Sequence, residues 1–114
     1  MEQSPAIDQS TLASVKPELE TWFMTFFNQK YFMLLCHELR DYTLFNLDKT
    51  SSWKTPSELT ISNAASDIIE CLSNRGTILA IEKQDAVSWE LWIRTEDGCF
   101  AYYLFPYGEA VLEY

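Results

Sequence analysis

The chain has 114 residues, 47% of them hydrophobic and 15% aromatic, and its 17 acidic against 8 basic side chains leave a formal charge of −9. That much apolar chain can bury a core of its own, which excludes a disordered acidic tail and any need for a metal or disulfide staple. The charge disfavours direct nucleic-acid binding and favours a basic protein as partner.

Residues 1–14 are polar and lack the apolar segment of a signal peptide; they read as a flexible N-terminal arm, with 15–114 as a single α+β domain. A helix is predicted from Pro17, with Glu18 and Glu20 in its first turn. Leu19, Trp22, Phe23, Phe26 and Phe27 then form one apolar stripe. Tyr31–Glu38 and Asp41–Leu47 read as a hairpin turning at Leu39-Arg40, followed by a polar loop around Trp53.

Thr55-Pro56-Ser57-Glu58 has the spacing of a capping box, which predicts a second helix through Ile61, Ala64, Ala65, Ile68, Ile69 and Leu72, with its start free to slip to Ser62. Arg75-Gly76 would end it, with Gly76 at the C′ position. Beyond Thr77 the hydrophobic period changes to two, predicting strands at Ile78–Lys83, Val87–Thr95 and Cys99–Phe105, and a short edge strand at Glu109–Tyr114. The expected fold is α+β, in the order α-β-β-α-β-β-β: an antiparallel sheet of about five strands with two helices on one face.

Asp97-Gly98 is the strongest hairpin signal and predicts a type I′ turn. In that register Glu96 opposes Cys99, Trp92 opposes Tyr103, and Glu90 opposes Phe105. One face would carry Val87, Trp89, Leu91, Ile93, Phe100, Tyr102 and Leu104 into the core. The other would hold Glu90, Trp92, Arg94, Ala101, Tyr103 and Phe105. Two helices cannot cover both sides of the sheet, so this second face is a candidate interface, with large rings rimmed by charge. The competing reading makes Trp92 and Tyr103 a cross-strand pair that serves only the sheet.

No catalytic motif stands out, and no cofactor or metal is expected. Cys36 and His37 are strand neighbours pointing to opposite faces, so they cannot act as nucleophile and base for one another. A lone histidine and three dispersed cysteines, Cys36, Cys71 and Cys99, provide no zinc ligand set and no disulfide framework, which points to a reducing, cytoplasmic setting. No apolar stretch is long enough to cross a bilayer. Residues 82–113 hold the densest acidic excess, Glu82, Asp85, Glu90, Glu96, Asp97, Glu109 and Glu113 against Lys83 and Arg94. Such an array could mimic a duplex in a basic groove, or be a solvated surface.

Arg40-Asp41-Tyr42-Thr43-Leu44-Phe45 and Ala101-Tyr102-Tyr103-Leu104-Phe105-Pro106-Tyr107 resemble small acidic accessory proteins carried by phages and mobile elements of Gram-positive bacteria. That class includes anti-CRISPR proteins, and small acidic immunity proteins share its texture. The resemblance implies a non-enzymatic inhibitor of a basic nuclease or toxin, with an anti-CRISPR acting on a Cas nuclease complex as the leading reading. The resemblance carries no residues across; the outer face and the acidic stretch supply the expected contact residues, Glu90, Trp92, Arg94, Tyr103, Phe105, Glu82, Asp85, Glu96 and Asp97. The alternative is an acidic immunity protein or a housekeeping dimeric interaction module that uses Trp92, Tyr103 and Phe105 as its surface.

Overall fold

Asp8 starts the first helix. Its backbone is extended (φ −81°, ψ 163°) and its carboxylate accepts the Thr11 N–H at 2.8 Å, so α1 runs Gln9–Thr25 in this computed structural model, which describes residues 6–26, 31–48, 58–60 and 63–107. Residues 9–14, expected in a loose arm, are therefore helical, and Ile7 N–H donates to the Ile78 carbonyl at 2.9 Å. Pro17 lies inside the helix instead of opening it. It has no N–H for the Ala13 carbonyl, a loss on the order of 3 kcal/mol. Leu12 and Val15, upstream of the proline, pack against the core and offset that loss. Phe27 and residues 1–5 lie outside the described residues.

β1 (Tyr31–Cys36) and β2 (Asp41–Asp48) form the first hairpin, with Cys36 opposite Asp41. Its loop is the four residues His37–Arg40, not Leu39-Arg40 alone, and Arg40 takes φ 54° to close it. β3 (Glu58–Thr60) pairs parallel with Asn46–Asp48. Glu58 thus belongs to a strand and not to a helical cap. α2 spans Ala64–Ser73, after an Asn63 that makes no side-chain capping bond. β-branched Thr60 suits a strand edge, and pairing with β2 outweighs the local capping pattern.

β4 (Thr77–Lys83), β5 (Trp89–Thr95) and β6 (Gly98–Pro106) complete the sheet, in the order β3-β2-β1-β6-β5-β4. Five of these strands are mutually antiparallel, with β3 a short parallel addition at the edge. The chain is thus α+β, and apart from β3 its elements follow the order α-β-β-α-β-β-β. Leu19, Trp22 and Phe23 of α1 and Ala64, Ala65, Ile68 and Leu72 of α2 bury themselves in one core. The sheet contributes Phe32, Leu34, Phe45, Ile81, Trp89, Leu91, Ile93, Tyr102 and Leu104 to it. Trp22 stacks edge-on against Phe23, Phe32 and Trp89, with ring centroids 5.0, 5.4 and 6.4 Å away.

Two local expectations change. Val87 is 49% exposed and not on the core face, because Asp85 Oδ1 accepts the Val87 and Ser88 N–H groups at 2.8 Å each and bends the chain before β5 begins. The β5–β6 turn centres on Glu96-Asp97, with Thr95 opposite Gly98. Neither central residue has positive φ, so the turn is not type I′; the left-handed demand falls on Gly98 (φ 135°). The expected strand at Glu109–Tyr114 lies outside the described residues.

Gly76 is needed for closeness and not for handedness. A Cβ there would lie 2.7 Å from the Arg94 backbone oxygen. Gly76→Ala is expected to destabilise the fold by about 1–3 kcal/mol, as overpacking against a backbone that cannot move aside. Urea unfolding checks this, and a neutral result would show that the α2–β4 connection can move off the β5 backbone without loss.

Candidate protein-binding face

The ladder assigns each side chain to a face. Phe32, Leu34 and Cys36 of β1 point to the helices, so Tyr31, Met33 and Leu35 point away. The same alternation sends Tyr42 and Leu44 of β2, Glu90, Trp92 and Arg94 of β5, and Ala101, Tyr103 and Phe105 of β6 outward. Both helices contribute to the core on the opposite face, and no described helix or strand lies over this one. Tyr42 is 55% and Trp92 37% exposed, whereas Leu35, Tyr103 and Phe105 are half-buried.

Glu90, Trp92, Arg94, Tyr103 and Phe105 thus share one face, with Glu82 on neighbouring β4 opposite Glu90. Their pairing differs from the expected register by two residues. Trp92 opposes Ala101, and Glu90 opposes Tyr103, whose hydroxyl donates to Glu90 Oε2 at 3.2 Å. A two-residue shift exchanges partners yet leaves every side chain on its face. Trp92 and Tyr103 are therefore diagonal neighbours, not a directly opposed pair.

The remaining expected contact residues go to opposite ends of the sheet. Asp85 sits in the β4–β5 loop. Glu96 and Asp97 occupy the β5–β6 turn and line a shallow cleft of about 850 Å³ with Asn74, Arg75, Thr77 and Arg94. The carboxylates bracket the rings and do not run as one array.

Beside the rings is a groove of about 530 Å³, floored by Leu35, Tyr103 and Phe105 and walled by His37, Val87 and Asp85. Partial burial, the Glu90 acceptor and the nearby Glu38 charge push the Tyr103 phenol above its ordinary pKa. Hydrogen bonds from Val87 and Ser88 hold the Asp85 carboxyl below its ordinary value, so it is ionised at neutral pH. His37 shares a 3.3 Å hydrogen bond between Nδ1 and the Tyr42 hydroxyl, while Cys36 is buried on the other side, so the two do not meet.

Sequence reasoning left Met33, Leu35, Tyr42 and Leu44 out of the site. Alternation within β1 and β2 was the available signal, but only the β1–β6 pairing, with Leu35 opposite Tyr103 and Met33 opposite Phe105, carries them to the rings. It also missed a polar lock on the helix side. Asp41 Oδ2 accepts Arg75 Nε at 2.7 Å and the Tyr102 hydroxyl, while Thr43 donates to Oδ1 at 3.1 Å. Arg75 also donates to Thr43 Oγ1 at 3.0 Å, to the Cys71 carbonyl at 3.1 Å and to the Cys71 thiol. These groups hold strands to helix end, and each has its partner within the cluster.

Among the described residues no helix is long and apolar enough to cross a membrane, and no three His, Cys, Asp or Glu side chains are grouped to hold a metal ion. No protein-family model, curated protein or solved structure matches the chain, so the face stands on its own geometry.

Proposed function

We propose that this protein is a non-enzymatic inhibitor that docks its outer sheet face onto a basic, nucleic-acid-handling protein. A Cas nuclease complex is the leading target class, as for an anti-CRISPR. The supporting observation is the face itself: Trp92, Tyr103 and Phe105 lie on the six-stranded sheet beside Met33, Leu35 and Leu44, opposite the two helices. Aromatic centres with a charged rim are where binding energy concentrates. The charge of −9 speeds encounter with a cationic surface and makes the association salt-dependent. The scattered positions of Asp85, Glu96 and Asp97 favour a ring-centred contact with acidic edges over a regular mimic of duplex phosphates.

The test is binding to a panel of guide-loaded Cas nucleases and basic toxin nucleases across a salt series, using the wild type and a Trp92→Ser/Tyr103→Ser/Phe105→Ser variant. A partner should bind at low salt, weaken as salt rises, and lose at least about 100-fold in affinity to the variant, given hot-spot losses of about 2 kcal/mol or more each. No binding at low ionic strength overturns the proposal. So does a variant that binds as tightly as wild type, or one that loses only self-association while inhibition persists. A toxin nuclease as the partner keeps the inhibitor reading but moves it to the immunity-protein class.

A further inference from the structure

We infer that the groove over Leu35, Tyr103 and Phe105 receives an arginine side chain of the partner, presented on a segment with apolar neighbours. This rests on the binding face proposed above and specifies the chemistry that face recognises.

The floor of the groove is apolar and aromatic, and Val87 stands 49% exposed at its wall. A cleft of this size falls within the range of about 300–1,000 Å³ typical of ligand sites. Carboxylates approach the floor from several elements. Glu90 of β5 is held by the Tyr103 hydroxyl, and Glu38 of the β1–β2 loop is near enough to act on the same phenol. Asp85 of the β4–β5 loop lines the groove and is fixed by the Val87 and Ser88 N–H groups and the Ser88 hydroxyl, all on Oδ1.

A ring-floored slot lined by the fixed Asp85 carboxylate, with Glu90 held beside Tyr103, disfavours anionic ligands and suits a cation with an apolar stem. Arginine matches better than lysine. Its planar guanidinium can lie against the Tyr103 or Phe105 ring while its edge donates to carboxylates, and it is more weakly hydrated than an ammonium. A second copy of this chain is a poor occupant, since two bodies of charge −9 repel and each would bring Glu82 and Glu90 to the contact.

The experiment titrates isotope-labelled full-length protein with the peptide acetyl-Ala-Leu-Arg-Leu-Ala-amide and with its citrulline counterpart, which keeps the shape and removes the charge. The arginine peptide should shift the Leu35, Val87, Tyr103 and Phe105 resonances, and citrulline should weaken binding at least about tenfold. Glu90→Gln, which keeps an acceptor for the Tyr103 hydroxyl at this half-buried position, should weaken the arginine peptide but leave the citrulline peptide unchanged. Equal binding of the two peptides, absence of binding by either, or shifts confined to other surfaces overturns the inference. It fails separately from the functional reading. A protein partner lost with the triple serine variant yet indifferent to Glu90→Gln removes only the arginine site. An arginine peptide seated in the groove, with no nuclease bound at low salt, removes only the inhibitor reading.

Discussion

Trp89→Ala is expected to destabilise the protein by about 3–5 kcal/mol, the upper range for truncating one core side chain. Trp89 opens β5, is 1% exposed, and meets Trp22 edge-on with centroids 6.4 Å apart. Its removal leaves a cavity where α1 meets the sheet, lined by rings too rigid to collapse into it. The indole N–H of Trp89, like that of Trp22, is buried without a hydrogen-bond partner among the described residues. Trp89→Phe therefore loses volume but also removes an unsatisfied donor, and its cost should stay within about 1.5 kcal/mol. Urea unfolding followed by far-ultraviolet circular dichroism separates the two variants. An alanine variant within about 1 kcal/mol of wild type would remove Trp89 from the centre of the core.

Asp41→Asn is expected to cost about 1.5–3 kcal/mol at neutral pH, the range for hydrogen bonds to a charged group. Arg75 and Asp41 keep 24% and 26% of their side-chain surface exposed, so the larger penalty of a fully buried broken ion pair does not apply. The pH dependence carries the stronger signature. Burial alone would raise the Asp41 carboxyl, but the bonds from Arg75 and Tyr102 outweigh it and hold the group below its ordinary value. Burial and the Asp41 contact together raise the Tyr102 phenol, whereas for Arg75 burial opposes a rise that the Asp41 and Cys71 contacts carry. A carboxyl depressed in the folded state binds fewer protons there than in the unfolded chain, so acid favours unfolding. The stabilisation is complete above the unfolded aspartate pKa of about 3.9 and disappears as pH falls through the lower folded value. The stability gap between wild type and Asp41→Asn should therefore be constant from about pH 7 to pH 5 and close below about pH 4. Unfolding curves at stepped pH measure it, and a gap that widens in acid would contradict this account of the lock.

Much of the fold was legible because its signals are local. The stripe of Leu19, Trp22 and Phe23 marks α1, and Ala64, Ala65, Ile68 and Leu72 mark α2, because side chains three and four apart share a helical face. The boundaries were less legible. Pro17 has the look of a first-turn residue, yet Asp8 caps the chain two turns earlier and Leu12 and Val15 make the longer helix worthwhile. Thr55–Glu58 has capping-box spacing, yet Glu58-Leu59-Thr60 finds a strand partner in β2. A pattern of four residues cannot weigh itself against a pairing that another segment offers.

The candidate site divides along the same line. Which face Glu90, Trp92, Arg94, Tyr103 and Phe105 occupy was determined by the sequence itself, because alternation along a strand is a property of the backbone and survives a two-residue change of register. What lies beside them was decided by tertiary structure alone. β1 pairs with β6 across some seventy residues of sequence, bringing Leu35 to Tyr103, and Arg75 reaches Asp41 across 34 positions. Strand order, ladder partners and the polar lock depend on which buried surfaces match once the helices are in place. That is a balance of long-range burial and loop closure which no local period encodes.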